Sequence, residues 1–244
     1  DFIGRKSVLK KMHEYIINAD KISNYHIVGL PRIGKSSLLK AFKTMIQENH
    51  YSHDLVVLYI SLDECDNSND MWRIIGKGIR KELKKQFHSS DKYTNFIDEL
   101  DFEDVDENNI DYEYVCSVAR CMKASGFLGL ILIDEFDNFS TIATKGTVGQ
   151  VRTLFSGSEY GLRAVVASRR MVERIEKEVE GALDSNISIL ASTFVNGYKL
   201  KAFNEDDMKD YWVSIEEKIG VAVSNSYKEE IDYYVGTHPC LLNL

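Results

Sequence analysis

The sequence lacks any apolar run long enough to cross a bilayer. Its longest strongly apolar stretch, Phe127 to Ile133, falls far short of the ~20 residues a membrane helix needs. No secretory leader pattern is visible at the start. The four cysteines (Cys65, Cys116, Cys121, Cys240) form no C-x-x-C pair and no framework spacing, which argues against a disulfide scaffold. They read as reduced, mostly buried thiols in a cytoplasmic protein. Positive charge is in deficit: 30 Lys and Arg against 38 Asp and Glu give a net charge of −8. That balance disfavours a nucleic-acid surface spread over the domain, though a local basic patch stays compatible with it. No internal repeat and no low-complexity linker interrupts the chain.

What is present fits one sizeable α/β domain with a small appendage: 244 residues, 44% hydrophobic and 28% charged. The chain begins at Asp1 without a methionine and stops at Leu244 in an apolar run, as expected of a piece of a longer protein.

The most informative stretch is Tyr25 to Leu39, Y-H-I-V-G-L-P-R-I-G-K-S-S-L-L. Gly29 to Ser36 fits G-x-x-x-x-G-K-[ST], the phosphate-binding loop of nucleotide hydrolases. Gly29 and Gly34 let the backbone turn its amides toward a polyphosphate. Lys35 supplies a charge for the β- and γ-phosphates, and the Ser36 hydroxyl suits a Mg²⁺ shell. The helix opening at Lys35 places its positive end under the anion. A β-branched and aromatic run, Tyr25 to Val28, precedes the loop, and helical apolar spacing over Ser37 to Ile46 follows it. The nucleotide-binding candidates are therefore Gly29, Pro31, Arg32, Ile33, Gly34, Lys35, Ser36 and Ser37. No N-K-x-D segment is present to read guanine, which leaves ATP as the nucleotide.

Other strands are expected over Asp54–Ser61, Phe127–Ile133, Leu162–Ala167 and Asn196–Ala202. Helices are expected around Val8, Leu9, Met12, Tyr15 and Ile16, and over Met71–Phe87, Tyr112–Lys123, Gln150–Phe155 and Met171–Glu180. Further helices are expected over Glu205–Ile219, capped by Asn204, and over Ser226–Val235. Trp72 lies on the apolar face of its helix and reads as core rather than as a stacking platform. Alternating strands and helices make a parallel sheet wrapped on both faces. Two metal readings fail on the residues they would need. Asp104, Asp106 and Asn108 suggest a calcium loop, but Asn109 stands where glycine is required and Val115 where the bidentate Glu belongs. His50 and His53 have no partner ligands nearby in sequence and read as surface histidines.

Leu130 to Asp137, L-I-L-I-D-E-F-D, is an apolar strand ending in adjacent acids. Ligands gather at the carboxyl ends of parallel strands, so Asp134 is expected beside the strand leading into the phosphate loop. There Asp134 suits the Mg²⁺ shell and Glu135 suits polarisation of an attacking water. The next strand ends in Ser168-Arg169-Arg170. An arginine there can sense the γ-phosphate or stabilise transition-state charge; Arg169 is favoured, without a secure ranking over Arg170. Phe2-Ile3-Gly4-Arg5 either covers the adenine or contacts a phosphate through Arg5, or merely leads into a helix. Gly236-Thr237-His238-Pro239 either places Pro239 on a purine and His238 on a phosphate, or is only a turn.

Together these segments resemble the STAND class of AAA-related P-loop ATPases, the archaeal-ATPase-like relatives of NACHT and NB-ARC switches. The resemblance rests on F-I-G-R at Phe2–Arg5, the loop at Gly29–Leu39, the acids at Leu130–Asp137 and S-R-R at Ser168–Arg170. To these it adds Y-K-L-K-A-F-N-E-D-D at Tyr198–Asp207 and G-T-H-P-C-L-L at Gly236–Leu242. It implies strand order 5-1-4-3-2, with the acid-bearing strand next to the one that follows the phosphate loop. It implies an ATPase core over residues 1–203, then a helical lid from Asn204 and the start of a truncated winged-helix region. ADP would hold a closed monomer, and ATP would favour a homo-oligomer of a larger signalling or antiviral-defence protein carrying sensor and effector domains. A trans-acting arginine finger is not identifiable.

Three functions compete on this reading. The first is a slowly hydrolysing Mg-ATP switch. The second is a DNA-associated ATPase resembling replication initiators, which the acidic balance disfavours. The third is an ADP-holding scaffold without turnover, which Glu135 argues against.

Overall fold

The computed structural model describes residues 2–18, 21–48, 54–87, 109–179 and 188–242. Within these, five strands form one parallel sheet: β1 (Tyr25–Gly29), β2 (Leu55–Ser61), β3 (Leu128–Asp134), β4 (Leu162–Ser168) and β5 (Asn196–Leu200). Their spatial order is β2-β3-β4-β1-β5, the 5-1-4-3-2 arrangement expected. β3 pairs with β2, the strand after the phosphate loop, with Asp134 opposite Ser61. One expectation is corrected: Asp134 does not end the strand beside β1. β4 lies between, pairing with β3 on one side and β1 on the other. The carboxyl-end rule fixes the edge of the sheet at which an acid emerges. It says nothing about lateral order, which the crossover connections decide.

The strands are buried on both faces, which explains their continuous apolar sequences. Val57, Leu130, Leu132 and Val165 pack with Val8 and Met12 of α1 (Lys6–Ile16) and with Leu38 and Phe42 of α2 (Lys35–Glu48). Their neighbours Val56, Ile131, Ile133 and Val166 point the other way, as the period of two demands. They meet Trp72 and Ile75 of α3 (Ser68–Phe87), Val115 of α4 (Tyr112–Ala124) and Leu154 of α5 (Lys145–Ser156). Trp72 is 1% exposed, and its Nε1 donates to Gln150 Oε1 at 3.2 Å, so it is core as anticipated. Cys65 and Cys116 are buried, and no disulfide occurs among the described residues.

Several boundaries differ from the sequence reading, each through local side-chain chemistry. α5 begins at Lys145 rather than Gln150 because Thr144 and Thr147 form a reciprocal capping box, which carries Gly146 and Gly149 into the helix. α3 begins at Ser68 because the Asn67 carboxamide accepts the amides of Asn69 and Asp70. The charged segment after β4 is helical only over α6 (Val172–Lys177). An unanticipated helix, α7 (Ile189–Thr193), is capped by Ser188 and anchored by Glu176, which accepts the amides of Ile189 and Leu190 at 3.0 and 2.8 Å. The last strand stops at Leu200, two residues early.

Asn204 opens α8 (Glu205–Ile219) with a second capping box, followed by α9 (Asn225–Val235) and α10 (Pro239–Leu242). Met208, Tyr211 and Leu242 form a small cluster of their own with Ile3, Phe203 and Val235. No helix among the described residues is long and apolar enough to cross a membrane. His50, His53, Asp104, Asp106 and Asn108 lie outside the described residues.

Candidate functional site

The phosphate loop joins β1 to α2. Gly29 closes the strand where a Cβ would lie 2.9 Å from Ile33 Cγ2 and 3.0 Å from the Leu200 carbonyl, so the approach of β5 requires glycine. Gly34 has φ 94°, a left-handed conformation that side chains resist, and nothing lies within 4 Å of its Cβ position. That open space is what a loop wrapping an anion leaves in front of its amides. Lys35 is 5% exposed, and its Nζ donates to the Gly29 and Leu30 carbonyls, both at 3.1 Å. Burial lowers its pKa, against the opposing charges of Glu135, Asp134 and Asp137.

A cleft of about 500 Å³ opens over this loop. Pro31, Arg32, Gly34, Lys35, Ser36 and Ser37 line it from the loop side. Facing them are Asp63 beyond β2, Glu135 and Asn138 beyond β3, and Arg169 beyond β4. The carboxyl ends of three parallel strands thus converge on one loop. Glu135 has φ 47°, a left-handed conformation that costs a non-glycine residue on the order of 1 kcal/mol or more. Arg32, across the cleft, has φ 59°. Burial, then the charges of Asp134 and Asp63, raise the Glu135 pKa, while Lys35 and Arg169 oppose. A carboxyl with a raised pKa is a better proton acceptor once ionised.

Asp134 is 2% exposed. Its Oδ2 accepts the Tyr59 hydroxyl at 2.8 Å and its Oδ1 accepts the Glu135 amide at 2.9 Å. Burial and this bond to Asp134 push the Tyr59 pKa well up, so the phenol keeps its proton to donate. The two arginines after β4 are divided by Asp137, whose side chain is 1% exposed. Its carboxylate accepts the Arg169 amide at 2.6 Å and Arg170 Nε at 2.8 Å, and Arg169 Nε reaches it more weakly at 3.4 Å. Burial pushes the Asp137 pKa up, but these bonds and both arginine charges outweigh it and hold the carboxyl below its ordinary value. Arg170 also binds Glu178, so its guanidinium is committed between two acids, whereas Arg169 is half exposed and lines the cleft.

Beneath the cleft, His26 of β1 and Ser168 at the end of β4 share a 2.8 Å hydrogen bond. Ser168 Oγ donates to the Arg170 carbonyl, so its single proton is spent and His26 Nε2 must be the donor. Burial depresses the His26 pKa to about 4, which keeps the ring neutral.

The remaining sequence candidates sit elsewhere. Arg5 is 3% exposed; its Nη2 donates to the Ile33 and Lys201 carbonyls at 2.9 Å, and its amide donates to Asp207. It ties the loop to the segment entering α8 and is not among the residues lining the cleft. Ile33 is 2% exposed and packs beneath the loop. His238 Nδ1 accepts the Cys240 amide at 3.3 Å, and the Thr237 carbonyl accepts the Phe203 amide at 2.9 Å, so His238 and Pro239 serve the start of α10. The sequence reading gave no role to Asp137, Tyr59, Asp63 or Asn138. Asp137 stands two residues past Glu135 in the quoted acidic motif, and Asp63 follows an apolar strand as Asp134 does. Tyr59 and Asn138 left no comparable signal.

Ser36 and Asp134 offer the hard oxygen donors that Mg²⁺ takes. No group of three or more His, Cys, Asp or Glu placed to hold a metal occurs among the described residues. Mg²⁺ commonly takes one or two carboxylates together with water and substrate phosphates, and Ser36 and Asp134 would be its protein donors here.

No protein-family model and no curated relative matches the chain. Solved structures do. The Walker-type ATPase PABY2304 of Pyrococcus abyssi superimposes with a TM-score of 0.64 at 14% identity, covering 98% of this chain and 65% of that one. Drosophila ORC bound to DNA gives 0.56 at 17% identity, covering 98% and 53%. AMPPCP-bound DnaA from Aquifex aeolicus gives 0.54 at 13% identity, covering 100% and 61%. The chain spans less than two thirds of the length of each. Likeness at such identities shows the fold alone: the five-stranded parallel sheet with flanking helices that these structures share.

Proposed function

We propose that this chain binds and slowly hydrolyses ATP as the nucleotide-dependent switch core of a larger STAND-type protein. The observation that supports it most directly is the convergence of Lys35, Ser36, Glu135 and Arg169 on one cleft. In this reading Lys35 leaves the Gly29 and Leu30 carbonyls and turns to the β- and γ-phosphates. Mg²⁺, held by Ser36 and Asp134, supplies charge neutralisation when bound. Glu135 accepts a proton from the attacking water. Arg169 senses the γ-phosphate, released from its weak contact with Asp137, while Arg170 stays fixed.

Residues 204–244 supply the helical lid and the start of a winged-helix region in this proposal, and Arg5 couples the lid to the loop through Ile33 and Lys201. His238 and Pro239 report on the nucleotide from the lid side. Oligomerisation on ATP binding, partner domains outside these residues and a cytoplasmic setting belong to the same proposal.

The test is nucleotide binding and turnover by the purified chain. Lys35→Ala is expected to weaken ATP binding by about 100-fold or more, and Glu135→Gln to retain binding while losing about 100-fold or more in kcat. ATP binding by Lys35→Ala at wild-type strength removes the site assignment. Binding without any phosphate release under single-turnover conditions replaces the switch with a scaffold.

A second reading, a DNA-associated ATPase, draws on the likeness to DNA-bound ORC. The net charge of −8 weighs against it. Salt-dependent duplex binding by the protein would favour it.

A further inference from the structure

A second cleft, of about 630 Å³, lies at the opposite edge of the sheet, where β1, β3, β4 and β5 begin. Its lining includes Arg163 near the start of β4, Lys123 near the end of α4, Asn24, Thr193 and Asn196. Among the described residues two cations and no carboxylate line this cleft, in a chain whose net charge is −8.

Arg163 is the anomaly. Its Nη1 donates to the Leu162 carbonyl at 2.6 Å and the Gly157 carbonyl at 3.4 Å, which uses both protons on that nitrogen. Among the described residues nothing accepts from Nε or Nη2, and no acid pairs with this guanidinium. Burial lowers the Arg163 pKa with no opposing charge. Three other partly buried arginines have an acid beside them: Arg5 faces Asp207, Arg170 lies between Asp137 and Glu178, and Arg73 pairs with Asp70. Arg163 is only partly buried and its unpartnered Nε and Nη2 stay open to solvent, so a guanidinium with no acid beside it among the described residues is available to an anion entering the cleft. The free Nε and Nη2 form the side-on edge that grips a planar carboxylate with two parallel hydrogen bonds.

Side chains around the cleft pin the neighbouring backbone. The Asn24 carboxamide is committed at both ends, accepting the Ala164 amide at 2.8 Å and donating to the Phe155 carbonyl at 3.0 Å. Lys123 donates to the Ser158 carbonyl at the exposed rim, where its charge adds to that of Arg163. Leu128 and Val195 provide apolar surface for the rest of a small molecule, and the cleft volume suits a metabolite-sized ligand.

We propose that this second cleft binds a small organic carboxylate, with the Nε/Nη2 edge of Arg163 as its bidentate anchor and Lys123 as the second positive charge. The site is separate from the nucleotide cleft and does not depend on the ATPase reading.

Citrate titrated into the purified chain without metal or nucleotide tests it, followed by calorimetry and by the amide resonances of Gly161, Thr193 and Asn196. Saturable binding that moves those amides is expected. Arg163→Met should weaken it by about tenfold or more, and Lys35→Ala should leave it unchanged. Should Arg163→Met fail to fold on a thermal melt, exposed Lys123→Met carries the comparison, with a loss of about threefold or more expected. No saturable binding, shifts confined to residues 29–36, or wild-type affinity in the folded variant would each overturn the proposal. Tighter Arg163-dependent binding of inorganic phosphate than of citrate would overturn the carboxylate class.

Discussion

The carboxylate of Asp137 accepts the main-chain amide of Arg169 at 2.6 Å, fastening the end of β4 to the turn that follows β3. The two segments supply Arg169 and Glu135 to the cleft, so one buried acid fixes the spacing of both. Asp137→Ala is expected to leave the Arg169 amide and Arg170 Nε without their acceptor. The cost should be about 2–4 kcal/mol of stability, read as a fall in the urea midpoint at unchanged m-value. An unchanged midpoint would mean that the two turns are held by other contacts.

Tyr59 orients the acid proposed to hold Mg²⁺. Tyr59→Phe removes the 2.8 Å bond to Asp134 and little else. The Mg²⁺ concentration for half-maximal ATPase activity should rise by about tenfold, the usual effect of losing an outer-sphere partner. ATP binding without metal should stay at the wild-type level. A Mg²⁺ dependence identical to wild type would separate Tyr59, and with it Asp134, from the metal.

His26 makes stability depend on pH. In the unfolded chain it takes a proton near its ordinary value of 6.5, but in the fold only near 4. Between those values the unfolded state binds more protons, so stability rises with pH. Its contribution is complete above pH 6.5 and is lost progressively as the pH falls toward 4. The loss is roughly 3 kcal/mol. His26→Gln keeps an N–H for Ser168 and should flatten this part of the profile, measured by urea denaturation at several pH values. A variant with the wild-type slope would locate the dependence elsewhere.

In the proposed hydrolysis Glu135 should set the acid limb of turnover. It must be ionised to accept a proton, and burial with the nearby charges of Asp134 and Asp63 raises its pKa above the ordinary 4.5. The limb of the kcat profile should therefore lie above 4.5. Asp63→Asn, which removes one of the charges raising it, should move the limb toward lower pH. A limb at or below the ordinary value, or one that Asp63→Asn leaves in place, would assign the proton to another group.

The sequence by itself determined the local pieces whose chemistry is contiguous along the chain. Gly29 to Ser36 specifies its loop because the amides, the lysine and the hydroxyl proposed to meet a phosphate all come from eight successive residues. Apolar runs ending in acid or arginine located the carboxyl ends of β3 and β4, since burial on both faces leaves an unbroken hydrophobic signature. Strand order came through resemblance rather than through any single strand. Tertiary structure alone decided that Asp137 engages the Arg170 guanidinium more closely than that of Arg169, and that Tyr59 reaches Asp134. Each is a contact between segments more than thirty residues apart, set by how crossovers stack the strands. The same holds for Arg163: its sequence neighbours are an ordinary strand, and only the assembled sheet shows that no acid among the described residues stands beside it.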